Sequence, residues 1–202
     1  MKKIILVFGI WFCVVFGFSI LQSCQTCDPG GPYNYYIASL SSELKEITGT
    51  QKVDSSEYII VNQNVIEQKA LKYDSFVMEV KHKYESYIRY KNPSLFAFTG
   101  TLACSPVENW DDLQEVIITS SANFDSNHPA GTNLSDIVLY RESYDIAGTK
   151  ASEAKRTLYG SFAFLSFSMP PAADGLHEIT IKYILANGKE LITQLNNVNI
   201  KK

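Results

Sequence analysis

The feature that most constrains this chain is a strict period-two pattern near its C-terminus. Glu178-Ile179-Thr180-Ile181-Lys182-Tyr183-Ile184-Leu185 and Lys189-Glu190-Leu191-Ile192-Thr193-Gln194-Leu195 flank Ala186-Asn187-Gly188. Side chains two apart share one face of a strand, so each segment offers an apolar face to a core and a polar face to water. Asn-Gly suits the two positive-φ positions of a type I′ turn, which predicts a two-residue hairpin. The same period recurs upstream. Phe76 to Tyr84 reads as a half-buried strand with Phe76, Met78, Val80 and Tyr84 in register and His82 among them. Leu95 to Cys104 repeats the idea, and Tyr58 to Val61, Glu115 to Ser120 and Ser161 to Ser168 are shorter β-rich runs. Helical signal is thin. Ser41 to Ile47 reads as a short amphipathic helix or a strand extension, Asn109 to Gln114 as a turn capped by Asn109, and Ser152 to Leu158 as another short piece. Short strands separated by turn clusters, without alternating long helices, predict a single antiparallel all-β sandwich with short helical insertions.

Pro170-Pro171-Ala172-Ala173-Asp174-Gly175-Leu176-His177-Glu178-Ile179-Thr180-Ile181 resembles the last E–F corner and F–G hairpin of immunoglobulin-like domains. His177 stands where those domains usually carry the corner tyrosine, and Ala173 where they carry an aspartate, with Asp174 one residue late. The resemblance covers about thirty residues and implies an immunoglobulin-like sandwich, with no activity attached.

Ahead of this domain, Ile4 to Leu21 runs for 18 residues without a charge, directly after Lys2 and Lys3. As a helix it would extend about 27 Å, long enough to cross a bilayer, so a cleaved signal and a retained anchor both fit by length. Leu21-Gln22-Ser23-Cys24 resembles the lipobox of bacterial lipoproteins. That resemblance implies diacylglycerol on the Cys24 thiol, removal of residues 1–23 as a signal peptide, and acyl chains such as palmitate as the membrane partner. Residues 24–32, rich in Pro and Gly, read as a lipidated tether, and 33–200 as the sandwich domain. With Trp110 to Thr119 and His128-Pro129-Ala130-Gly131-Thr132, the chain resembles the secreted lipoproteins of Bacteroidota, which carry no known activity. The implied location is the outer membrane. Asp28 is the one acid close behind Cys24, so the periplasmic and outward faces both stay open.

Of the four cysteines, Cys13 leaves with the signal and Cys24 carries lipid, which leaves Cys27 and Cys104. In an oxidising compartment this pair is a candidate disulfide, and two separate thiols are the alternative. A bridge over so long a loop would contribute about 4 kcal/mol in the chain-entropy account.

Loss of Lys2 and Lys3 leaves 16 basic against 21 acidic residues, a formal charge of −5. An acidic exported domain has no electrostatic footprint for nucleic acid. Nor does the sequence hold a G-x-S-x-G, S-x-x-K or H-E-x-x-H motif or a phosphate-binding glycine loop, and no catalytic residue or cofactor is assigned. Asn123, Asp125 and Asn127 alternate like the first ligands of a calcium loop, but His128 stands where glycine belongs and Leu134 where glutamate does. Asx turns are the simpler reading, and zinc on His128 with Asp125 or Asp136 is no stronger. Asp111, Asp112, Glu115 and Asp136 could supply a carboxyl pair only if folding converged them. His82 and His177 read as structural. Aromatics remain: the chain carries 12 tyrosines, and Trp110 is its one tryptophan beyond the signal. Tyrosine and tryptophan join a flat apolar ring to a polar tip, which suits protein or sugar surfaces. The expectation is a non-enzymatic, lipid-anchored binding or scaffold module for an envelope partner, with Trp110 stacking on glycan as the alternative.

Overall fold

A computed structural model describes residues 33–66, 70–88, 110–144 and 147–202. By internal contacts the chain divides into two compact units, one of Met1–Asn34 with Tyr87–Glu108 and one of Tyr35–Ser86 with Asn109–Lys202. The account below concerns the second, together with the strand ends that extend from it. Cys24, Cys27, Cys104 and the strand expected at Leu95 to Cys104 lie outside the described residues.

Among the described residues eleven strands form two sheets. The first places β2 (Ser56–Val65), β1 (Tyr33–Val53), β4 (Phe76–Ile88), β9 (Phe162–Phe167), β6 (Val138–Arg141) and β7 (Thr149–Lys150) side by side in that order. The second runs β3 (Leu71–Lys72), β11 (Glu190–Lys201), β10 (Gly175–Leu185), β5 (Asp112–Ser120) and β8 (Arg156–Thr157). The run β1-β4-β9-β6 follows the ABED order of an immunoglobulin sandwich, and β11-β10-β5 follows GFC. β3 pairs parallel to β11 and completes the second sheet at that edge. The sandwich expected from the strand pattern is therefore present, with immunoglobulin-type strand order.

Alternation explains the core. On β10 the residues Ile179, Ile181, Tyr183 and Leu185 are buried and meet Leu191, Leu195, Val198 and Ile200 of β11 with Val116 and Ile118 of β5. The opposing sheet contributes Phe76, Met78 and Val80 from β4, Val138 and Tyr140 from β6, and Ala163, Leu165 and Phe167 from β9.

Several local expectations change. β4 is buried on both faces over its first half: Val77 belongs to a second, smaller core with Ile59 and Phe164, flanked by Ile47, Val61 and Phe162. That core lies on the outer side of the first sheet, since Val77 points opposite to Phe76 and Met78. Register shifts in the β1–β2 pair around Ile47 mark bulges, which increase twist, and the Ile59 N–H donates to the Tyr144 carbonyl at 2.7 Å. β2 is thereby tied to the segment after β6, and positions of β4 that alternation assigns to water become covered. Glu79 and Lys45 are buried there, and Lys45 lies 3.4 Å from Glu43 and 3.8 Å from Glu79.

Ser41 to Ile47 is strand throughout, part of the 21-residue β1. The turn expected at 109–114 gives way to β5 from Asp112 onward. Helical structure among the described residues is one 3₁₀ turn, Ala151–Glu153. The terminal hairpin forms as predicted, but its turn is not type I′. Gly188 has φ +80° whereas Asn187 does not enter the left-handed region, and the Gly188 N–H donates to the Leu185 carbonyl at 2.9 Å. Ala186, Asn187 and Gly188 form a three-residue loop with glycine at the bulge position.

Candidate functional site: the aromatic end of the sandwich

The end of the sandwich where β1 and β5 begin gathers aromatic rings from four separate segments. Trp110, just before β5, stacks on Tyr35 of β1 with centroids 4.3 Å apart and planes 16° off parallel. Tyr84 of β4 meets it edge-on at 5.2 Å, and Tyr159, in the loop between β8 and β9, does so at 5.9 Å. Tyr159 is 67% exposed; the other three are half-buried. Backbone ties hold the group. Asp111 accepts the Ile37 N–H at 2.7 Å and the Asn187 side-chain amide at 3.4 Å, while Lys189 donates to the Ile37 carbonyl at 2.6 Å. Next to them Tyr36 donates to Glu85 at 2.7 Å. One face of Trp110 is thus occupied by Tyr35, and the most open ring of the four is Tyr159, which nothing local in the sequence selects.

Behind this surface lies a buried polar group. Tyr84 Oη donates to the carbonyls of Gly160 at 2.8 Å and Leu158 at 3.2 Å. His82 Nδ1 also contacts the Gly160 carbonyl, at 2.7 Å, and must be the protonated nitrogen for that bond to form. Burial lowers the His82 pKa despite that bond and the nearby Glu142. The ring is neutral, with Nε2 a bare acceptor that has no hydrogen-bond partner among the described residues. Tyr183 Oη, fully buried, stands beside the Tyr140 hydroxyl with no partner at hydrogen-bond geometry among the described residues. Burial raises the Tyr84 pKa, with Glu142 and Asp111 adding to it, and both stay phenols at any physiological pH. Tyr140 donates to Glu142 at 3.2 Å, and Glu142 pairs with Arg156, which lies over the Tyr140 ring.

The histidine loop flagged for cations lies at the opposite end, between β5 and β6. Asp125 accepts the backbone N–H groups of Asn127 at 2.7 Å and His128 at 2.9 Å, and Asn123 accepts that of Ala130 at 2.8 Å. The Asp125 bonds form an Asx-type turn and the Asn123 bond closes the loop across seven residues, so the oxygens turn into their own loop. His128 Nδ1 lies 2.9 Å from Asp125 and Nε2 lies 3.2 Å from Asp136. Two carboxylates on two ring nitrogens require an imidazolium. Burial works against that charge, yet the bonds to Asp125 and Asp136 outweigh it and raise the His128 pKa. Among the described residues no set of three His, Cys, Asp or Glu side chains is placed to hold a metal ion.

The four acids considered for a carboxyl pair are distributed. Asp111 and Asp112 stand where β5 begins, the latter accepting from Thr157, whereas Asp136 lies beyond the other end of β5 against His128. Glu115 is exposed along the strand. His177 is buried at the start of β10 and bonds across to Ser120 Oγ at 2.7 Å, in place of the backward bond a corner tyrosine makes.

Fold and surface together define an immunoglobulin-type sandwich with an aromatic cluster at the end where its first strand enters. Compared with known proteins, the chain matches no family model, no curated protein and no solved structure.

Proposed function

We propose that this protein is a lipid-anchored, non-enzymatic module of the cell envelope, acylated on Cys24 after removal of residues 1–23 and binding or positioning an envelope partner from the outer membrane. The carrying observation is the combination of a lipobox-like Leu21-Gln22-Ser23-Cys24 with a domain whose chemistry-bearing side chains are spent on its own frame. Asp111 and Asp112 tie strands and turns, Asp125 and Asp136 hold His128, and His177 is sealed in the core. A sandwich held in this way offers loops and rings as contact area. Two or three acyl chains anchor stably where one is marginal, because each buried methylene contributes about 0.8 kcal/mol.

Metabolic labelling of native cells with an alkyne-bearing palmitate tests the anchor. Label is expected on the wild-type chain and not on Cys24→Ala, and an intact mass beginning at Met1 with no adduct would overturn the proposal. Cross-linking in the same cells should return a neighbouring envelope component, and a turnover that vanishes on Asp111→Asn or Asp112→Asn would replace binding with catalysis.

A further inference from the structure

We propose that the aromatic end of the sandwich, formed by Tyr35, Trp110 and Tyr159, rests on the lipid bilayer that holds Cys24. This rests on the acylation proposed above and adds to it a second, non-covalent contact with the same membrane.

The first argument is reach. Cys24 precedes Tyr35 by 11 residues, and Tyr35 is packed against Trp110. Eleven residues span at most about 40 Å fully extended. β10 ends beside this surface at Leu185, and its 11 residues make it about 37 Å long. The tether therefore keeps the aromatic end close to the acyl chains and leaves the His128 end a strand length farther away. Only a tether pulled nearly straight could bring that other end to the membrane.

The second argument is chemistry. Tryptophan and tyrosine settle at the boundary of a bilayer because the ring is apolar and its N–H or O–H reaches water and headgroups. Among the described residues Tyr159 is the most exposed large apolar or aromatic side chain, and it stands edge-on to Trp110. Among the described residues, the charges beside these rings include Asp111, engaged with Ile37 and Asn187, Asp112 with Thr157, and Lys189 with Ile37 and the Tyr36 ring. A contact made by rings rather than by charge needs no anionic lipid, and salt does not screen it.

Loss of the signal peptide removes Trp11, so Trp110 is the sole tryptophan of the mature chain and reports its own surroundings. The acylated protein, extracted from native membranes, is placed in phosphatidylcholine vesicles with either ordinary or brominated acyl chains. Trp110 emission should fall about twofold in the brominated vesicles, equally at low and high salt, as expected of a ring at the interface. Tyr159→Ser should reduce that quenching without changing the acyl mass on Cys24. Equal emission in both vesicles from protein whose mass carries the acyl group overturns the contact and leaves the anchor standing. A mass without acyl group overturns both. Saturable change of Trp110 emission with a soluble polysaccharide, with no quenching by brominated lipid, would assign the surface to glycan instead.

Discussion

His128 concentrates the charge chemistry of the distal loop in one side chain. Its folded pKa is raised above the ordinary value near 6.5, so the native state holds the proton more tightly than the unfolded chain. The resulting stabilisation is fully present below about pH 6.5 and is lost as pH rises through the folded value. Urea unfolding of wild type and His128→Asn should therefore give a stability gap that is widest near pH 6 and narrows toward pH 9. His82 and His177 act with the opposite sign, since burial lowers both. Each resists protonation in the fold, and the stability they leave intact at neutral pH declines as acid is added below about 6.5. Tyr183 carries a buried hydroxyl beside that of Tyr140 but at hydrogen-bond geometry to no partner among the described residues, so its desolvation is poorly offset. Tyr183→Phe should leave stability unchanged or raise it by up to about 1 kcal/mol in urea titration, whereas most core truncations cost more. Sequence favoured Asx turns over cation ligands for this loop, which the Asp125 bonds bear out, and it named His128, Asp125 and Asp136 together only as a weak zinc set. Their use as a clamp depended on which way the loop turned its oxygens, and alternation carries no information about that.

Among the elements, the β10–β11 hairpin shows how far local pattern reaches. Its strands and Gly188 bend were legible because period-two burial and a glycine in the turn act within a dozen residues. The turn class was not, because Asn187 keeps ordinary backbone geometry and its carbonyl oxygen Oδ1 accepts the Lys189 N–H at 2.8 Å instead. Gly188, at φ +80° with open space around a would-be Cβ, should lose about 1–2 kcal/mol on Gly188→Ala from backbone conformation alone. Gly188→Asn should lose less, and thermal unfolding of the two variants checks the order. Phe124 does the corresponding work for the distal loop, buried and stacked on Phe167 at 4.7 Å. Phe124→Ala should cost about 3–5 kcal/mol in denaturant unfolding. Ser41 to Ile47 was ambiguous between helix and strand, since a short apolar pattern fits both periods. Pairing of β1 within the first sheet decided for strand.

For the whole molecule, the two sheets share one core, and Trp110 is packed on Tyr35 and Tyr84 at its end. Unfolding of the mature chain followed by Trp110 fluorescence and by far-ultraviolet circular dichroism should give coincident transitions, as two-state behaviour requires. Separate midpoints would show that the aromatic end opens independently of the sandwich. The strand order also separates two surfaces of different chemistry: rings where β1 begins, and a charge-clamped loop at the far end.

By itself, the sequence determined what is local: β-strands from period two, a hairpin from its turn residues, and a lipobox-like run ahead of a Pro- and Gly-rich stretch. It also marked Trp110 and the tyrosines as aromatics of interest. The tertiary structure decided what depends on residues far apart in the chain. Tyr35, Tyr84, Trp110 and Tyr159 meet only because β1, β4, β5 and the β8–β9 loop reach the same end of the sandwich. The outer face of β4 is buried only because the β1–β2 hairpin is tied across to Tyr144. Side-chain alternation assigns a residue to one face of its strand, whereas what covers that face is set by sheet pairing and twist over the whole chain.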